Sequence, residues 1–302
     1  MQDPAIDSEA YRRDGYLVVP GLLSPGECAA LRDEALALCR GRLGALRGLV
    51  DPAPGESDEA VMRRYMVAIM PHKIPSLFAR MVGDPRIVRV LAALIGPNVK
   101  AVHSQCFYKA PGMPGNGWHQ DELFIPTRDR SLVTAWIALE DTTVANGCLR
   151  VLPGSHRPSV LWPMRRHNNP EVDRAEEAFG YPQDPARAVP LELPAGSAVF
   201  FDGYLLHGSY PNRTADRTRR ALLYVYADAA TPVMFDPTTY QPTAQDYRDI
   251  VMVSGADPYA WKGTARLGEP YLRAAGPSVK DLELARLHDA EREGAPPRVS
   301  PT

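Results

Sequence analysis

Gly117-Trp118-His119-Gln120-Asp121 sets an imidazole and a carboxylate two residues apart, and in extended backbone residues i and i+2 leave the same face. Such a pair supplies two metal donors, so a complete site needs a third from elsewhere in the chain. The best candidate is His207, in Phe201-Asp202-Gly203-Tyr204-Leu205-Leu206-His207-Gly208-Ser209. Two histidines and one carboxylate with open positions remaining suit non-haem Fe(II) and oxygen chemistry. The tripeptide alone is common and usually means a surface histidine near an acid. Its weight comes from the segments around it.

A chain of 302 residues is long enough for one large domain or two small ones, and an all-β barrel of this length is not unusual as a single unit. A formal charge of -2 and a pI near 6.4 give no electrostatic reason to expect nucleic acid or an anionic membrane as main partner, which leaves a small molecule. No apolar run approaches the roughly 20 residues of a bilayer span, and Met1-Gln2-Asp3-Pro4 lacks the basic and apolar regions of a secretory signal, so a cytoplasmic location is expected. Cys28, Cys39, Cys106 and Cys148 show no Cys-x-x-Cys spacing, and reduced thiols are expected rather than disulfides or structural zinc. Thirty prolines point to loops joining short strands rather than to a helical bundle.

Ser24-Pro25-Gly26-Glu27 combines an N-cap, a proline at the first turn and a glutamate that closes a capping box. Cys28, Leu31, Ala35 and Leu38 then form one stripe, which predicts a helix ending near Gly41 and packed on a sheet. Asp51 to Asp58 reads as a loop, with helices over about Lys73 to Met81 and Asp84 to Ile95. A short strand is expected at Tyr16 to Pro20. Beyond residue 98 the period becomes alternating, with strands at Val99 to Lys109, Ser131 to Leu139, Cys148 to Leu152, Ala188 to Leu193, Ser197 to Phe201 and Arg220 to Tyr226. Gly154 to Pro190 is polar and lacks alternation, as expected of a lid or binding loop. Within it, Arg165-Arg166-His167 is either a solvated face or a place for an anionic group. Pro258 to Gly263 is a candidate ordered return segment, and the last dozen residues read as a disordered tail.

Taken together, Asp14-Gly15-Tyr16, Trp118-His119-Gln120-Asp121, Ala135 to Asp141, Asn146-Gly147-Cys148-Leu149, Pro153-Gly154-Ser155-His156 and His207-Gly208-Ser209 resemble the phytanoyl-CoA dioxygenase family of Fe(II)- and 2-oxoglutarate-dependent oxygenases. The resemblance runs from about Tyr11 to Ala227. It implies a single domain over residues 1–302, mostly β with flanking helices, folded as a double-stranded β-helix, the cupin-like jelly roll. It makes His119, Asp121 and His207 the iron ligands, leaving three positions for two oxygens of 2-oxoglutarate and for O2. The far carboxylate of 2-oxoglutarate needs a buried cation, for which a guanidinium is best suited. Arg213, Arg217, Arg219 and Arg220 are available, and alignment on the family's strand after the distal histidine selects Arg219, with Arg220 on the opposite face. Lys73, Gln105 and Trp136 match cosubstrate contacts by position, although each has an ordinary reading as a surface turn, a solvent-facing amide and a core ring. His72, His103, His156, His167 and His288 are read as ordinary histidines, and Asn146-Gly147 as a tight turn. An aspartate at position 121 implies hydroxylation of an aliphatic C–H rather than halogenation, since halogenating relatives lack that carboxylate, with desaturation or cyclisation as the alternatives. The rival reading is a non-catalytic metal- or ligand-binding jelly roll. Prime substrate and oligomeric state stay open.

Overall fold

The structure, a computed structural model, describes residues 6–167, 169–173 and 176–276. Five helices are described: α1 Ser8–Asp14, α2 Pro25–Cys39, α3 Asp58–Arg63, α4 Leu77–Met81 and α5 Pro85–Leu94. Strands β1 Tyr16–Val19, β2 Tyr65–Ile69, β3 Val99–Lys109, β4 Asn116–His119, β5 Val133–Ala138, β6 Leu149–Val151, β7 Met164–Arg166 and β8 Glu176–Ala178 come first. They are followed by β9 Val189–Leu191, β10 Ala198–Asp202, β11 His207–Ser209, β12 Arg219–Asp228, β13 Phe235–Asp236, β14 Gln241–Pro242, β15 Val251–Ser254 and β16 Tyr271–Ala274.

Two antiparallel sheets stack face to face. The larger runs β1-β10-β5-β12-β3-β2-β16, with β15 also paired to β3, and the smaller runs β4-β11-β6-β9. This is the jelly roll that the resemblance implies. Alternation along β12 shows how one strand serves two cores. Leu222, Tyr224 and Tyr226 turn outward into the cluster beneath the helices, whereas Ala221, Leu223 and Val225 turn inward between the sheets. Buried tyrosines tie the outer layer down: Tyr108 Oη donates to Ala35 O at 3.1 Å, Tyr224 Oη to Phe78 O at 2.9 Å and Tyr226 Oη to Val82 O at 2.9 Å.

Helix α2 forms on its expected cap, with Ser24 Oγ accepting from Glu27 N at 3.3 Å and Glu27 Oε2 accepting from Ser24 N at 2.8 Å. The predicted helix from Lys73 breaks at Pro75. Ile74 is extended, as a residue before proline must be, so a 3-10 turn over Pro71–Lys73 ends there and α4 starts from Ser76. Helix α3 begins at Asp58, the residue expected to end a loop. All four cysteines are buried and unpaired.

The C-terminal third differs most from expectation. Trp261 is 80% exposed, so Pro258 to Gly263 does not pack as a return segment. That role falls to β15 and β16, which pair with β3 and β2. The expected tail and His288 lie outside the described residues. Among the described residues no helix is long and apolar enough to cross a membrane.

Tyr224→Phe keeps the ring and removes the donor to Phe78 O. The expected loss is about 1–2 kcal/mol, read as a lower urea midpoint at unchanged slope. An unmoved midpoint would show that the hydroxyl does not hold α4 to the sheet.

Candidate metal centre and cosubstrate cavity

Strand β4 places His119 opposite His207 of β11 as register partners across the small sheet. Their ring centroids lie 4.1 Å apart, and both side chains are buried. Asp121 begins the 3-10 turn that follows β4, and its Oδ1 comes within 3.8 Å of His119 Nε2 and 3.6 Å of His207 Nε2. Donor atoms of the three side chains all lie within 4.8 Å of one another. Each imidazole has its Nδ1 on a main-chain carbonyl, His119 on Gly117 O at 2.8 Å and His207 on Leu205 O at 2.9 Å. An Nδ1–H that donates to a carbonyl fixes the tautomer in which Nε2 carries the lone pair that a metal takes. Asp121 is aimed in turn by Thr134, whose Oγ1 donates to Oδ2 at 2.7 Å. Between the two donors Gln120 faces the other way, its Nε2 donating to Tyr204 O at 2.7 Å and to Val160 O at 2.9 Å. The donor set therefore fits a divalent iron.

A cavity of about 300 Å³ opens from this cluster between the sheets. Of the four candidate arginines, the structure brings Arg219 to the cavity wall. Arg213 pairs with Glu171, Arg217 is exposed, and Arg220 points to the helix side, where Nε donates to Glu140 Oε1 at 2.7 Å. Arg219 is 2% exposed and its guanidinium sits 5.3 Å over the ring of Trp136. Nη2 donates to Gly147 O at 2.9 Å, while Nε and Nη1 have no partner among the described residues. Burial pulls its pKa down to about 10, so it is still a cation at neutral pH. Two buried guanidinium donors without an acceptor are what an anchor for a carboxylate requires.

Residues that carried no signal of their own complete this end. Lys109, the register partner of Arg219, donates from Nζ to Ser209 Oγ at 2.8 Å and Tyr210 O at 2.7 Å. Burial, then the neighbouring Arg219, pushes the Lys109 ammonium well below its ordinary pKa. Ser209 Oγ also accepts from Asn116 N at 3.0 Å, which leaves its own proton for a further acceptor. Parity could have found Ser209, two residues beyond His207 on one strand. Gly147 holds a left-handed turn, φ +86°, and a Cβ there would stand 2.6 Å from Lys109 Cδ and from Tyr210 O. The Asn146-Gly147 turn thus also seats the arginine.

Trp136 and Gln105 line the cavity, but Gln105 is engaged with His103, Nε2 to Nε2 at 3.2 Å. Lys73, expected at the cosubstrate, is elsewhere: its Nζ lies 2.5 Å from both oxygens of Asp249 and donates to Gly268 O at 2.9 Å. With these acceptors its charge is neutralised in the wall behind the cavity. The expected lid is only partly what its composition suggested. Its β7–β8 hairpin and Trp162 pack with Trp118, Leu152 and Leu206 on the outside of the small sheet. Arg165 and Arg166 stand opposite Glu177 and Glu176 in that hairpin, which answers their charge. Of the described residues in 154–190, Asp173 lines the cavity, paired with Arg273 of β16 at 3.2 Å.

The description Phytanoyl-CoA dioxygenase (PhyH) matches residues 11–221. The peroxisomal phytanoyl-CoA dioxygenase of Rattus norvegicus is 30% identical over 216 residues, 68% of this chain and 62% of the rat protein. The chain therefore spans less than two thirds of that relative. The ectoine dioxygenase of Stutzerimonas stutzeri (strain A1501) is 33% identical over 241 residues, 72% of this chain and 74% of that protein. Among solved structures, EvdO2 of Micromonospora carbonacea var. aurantiaca complexed with 2-oxoglutarate superposes with a TM-score of 0.56 at 25% identity, covering 80% of this chain and 96% of that one. On the extent of these matches, and with two imidazoles and a carboxylate converging beside a buried arginine, the chain belongs to the phytanoyl-CoA dioxygenase family.

Proposed function

We propose that this protein is an Fe(II)- and 2-oxoglutarate-dependent dioxygenase that hydroxylates an aliphatic C–H of a small molecule. One observation carries the reading: a His-Asp-His donor cluster with two buried imidazoles shares a single cavity with a buried guanidinium that has two unused donors. When bound, iron and 2-oxoglutarate supply the oxidation, in which O2 gives one oxygen atom to the substrate and one to succinate while CO2 is lost. The chain's own residues bind and aim. His119 and His207 are held by carbonyls in the tautomer that presents Nε2, and Thr134 holds Asp121 to its place. Arg219, with Nε and Nη1 unused, would hold the far carboxylate, and the Ser209 hydroxyl, oriented by Lys109 and Asn116 N, would be placed to donate to it. Trp136 walls the guanidinium against water, which strengthens the charge pair. A small-molecule substrate and a cytoplasmic location complete the proposal.

Succinate formation from 2-oxoglutarate with ferrous iron, before any prime substrate is found, tests the activity. Iron bound without succinate formation would favour a binding module. Arg219→Ala should weaken 2-oxoglutarate by at least about tenfold, as loss of one partner of a buried charge pair does, while iron affinity holds. An unchanged dissociation constant would move the anchor elsewhere. Asp121→Gly should abolish succinate formation and lower iron content. Thr134→Val leaves all three donors but frees the carboxylate, and should cost about 10–100-fold in iron affinity or activity. Full iron and full activity in Asp121→Gly would remove this cluster from the chemistry, and in Thr134→Val would show that the Thr134 hydrogen bond does not aim Asp121.

A further inference from the structure

The cavity continues past the donor cluster along β3, β2 and β16, and each charge in its lining falls at the donor cluster, at the cosubstrate end or in an ion pair. Asp121 belongs to the donor cluster, Arg219 and Lys109 stand together at the cosubstrate end, and Asp173 and Arg273 pair with each other. What remains is a wall of Val67, Ile69, Phe107, Phe235, Tyr240 and Tyr271. Its rings meet edge to face, Phe235 with Tyr240 at 6.0 Å and Tyr240 with Tyr271 at 5.4 Å, and His103 joins them at 5.9 Å from Phe235. Tyr240 reaches this cage from left-handed backbone, φ +57°. For a bulky residue that conformation is unfavourable and persists where the surroundings impose it. Tyr240 Oη donates to Glu269 O at 3.3 Å, so its one proton is already committed.

The polar pair on this wall is His103 and Gln105. The amide donates to His103 Nε2, so the ring carries its proton on Nδ1, and that atom has no partner among the described residues. Burial holds the imidazole neutral, pulling its pKa down to about 3. A buried donor without an acceptor is costly unless a ligand supplies one.

We infer that the prime substrate is an uncharged, largely apolar, ring-bearing molecule that presents one hydroxyl or carbonyl oxygen to His103 Nδ1–H, a deepening that rests on the dioxygenase reading above. A carboxylate, phosphate or ammonium on this wall would leave water for a lining of aromatic and aliphatic side chains, since Arg47, 4.3 Å over the Tyr271 ring, is exposed and lies outside the lining. A flat apolar body instead fills the cage and leaves a C–H beside the donor cluster. Gln105 thereby serves the prime substrate through His103, as a positioning residue, rather than the cosubstrate.

Equilibrium binding of naphthalene, 2-naphthol and 2-naphthoate, each with saturating 2-oxoglutarate, tests this. In the wild type, 2-naphthol should bind about fivefold tighter than naphthalene, the worth of one hydrogen bond, and tighter than 2-naphthoate by an order of magnitude or more. His103→Phe should erase the advantage of the hydroxyl and leave naphthalene affinity unchanged. 2-Naphthoate binding as tightly as 2-naphthol, or a hydroxyl advantage that survives in His103→Phe, overturns the inference. The wild-type order decides even if the variant does not fold. Titration of 2-oxoglutarate alone separates the two readings: its failure to bind wild type overturns the dioxygenase proposal, whereas normal binding with the wrong naphthalene order overturns only this one.

Discussion

The pairing of His119 with His207 across the small sheet is the contact around which the molecule is arranged. Side chains alternate with period two, so a slip of one residue in either strand would turn its histidine outward, where Trp118 and Leu206 now pack. The register is defended by close backbone approach, since a Cβ on Gly208 would stand 2.6 Å from Asn116 O. It is defended again by Gln120, whose amide is spent on the carbonyls of Tyr204 and Val160 and whose Oε1 accepts from Trp162 N at 2.8 Å. Strands this short have little ladder energy of their own. Their order depends on the large sheet behind them and on the hairpin that covers their outer face.

Three buried cations, Lys100, Lys73 and Arg220, have their needs met inside the protein by carbonyls or by a carboxylate, and two at the cavity do not. Lys100 donates to the carbonyls of Ala229 and Thr231. Lys73 has Asp249 and Gly268 O within reach, and Arg220 has Glu140, so both charges are settled inside the protein. Arg219 and Lys109 lie side by side with no carboxylate bonded to either, each acidified by the loss of water. Holding them there is unfavourable for folding. An anion that enters relieves that cost, and affinity for it follows from the same imbalance.

Electrostatics and parity also explain why adjacent residues do different work. Arg219 and Arg220 are neighbours in sequence, yet one faces the cavity and the other the helices. Thr134 and Trp136 share the inner face of β5 and serve the carboxylate and the guanidinium in turn, while Ala135 and Ile137 fill the core beneath the helices.

Patterns of local origin were legible in the chain. Strand β3 runs over the predicted span, α2 starts on its capping box, and alternation assigned Arg220 to the outer face. The spacing of His119 and Asp121 and the distant His207 singled out the residues that the fold brings together. The strand, the cap and the outward Arg220 rest on periodicity or capping, which neighbours within a few residues determine, whereas His207 was joined to His119 and Asp121 by the family resemblance. Tertiary structure alone decided the rest. Lys73 meets Asp249 from 176 residues away, β16 closes the large sheet on β2, and Asp173 reaches Arg273 across the cavity mouth. No local pattern records such partners, because a buried charge or a four-residue strand takes its meaning from whatever the chain brings opposite it.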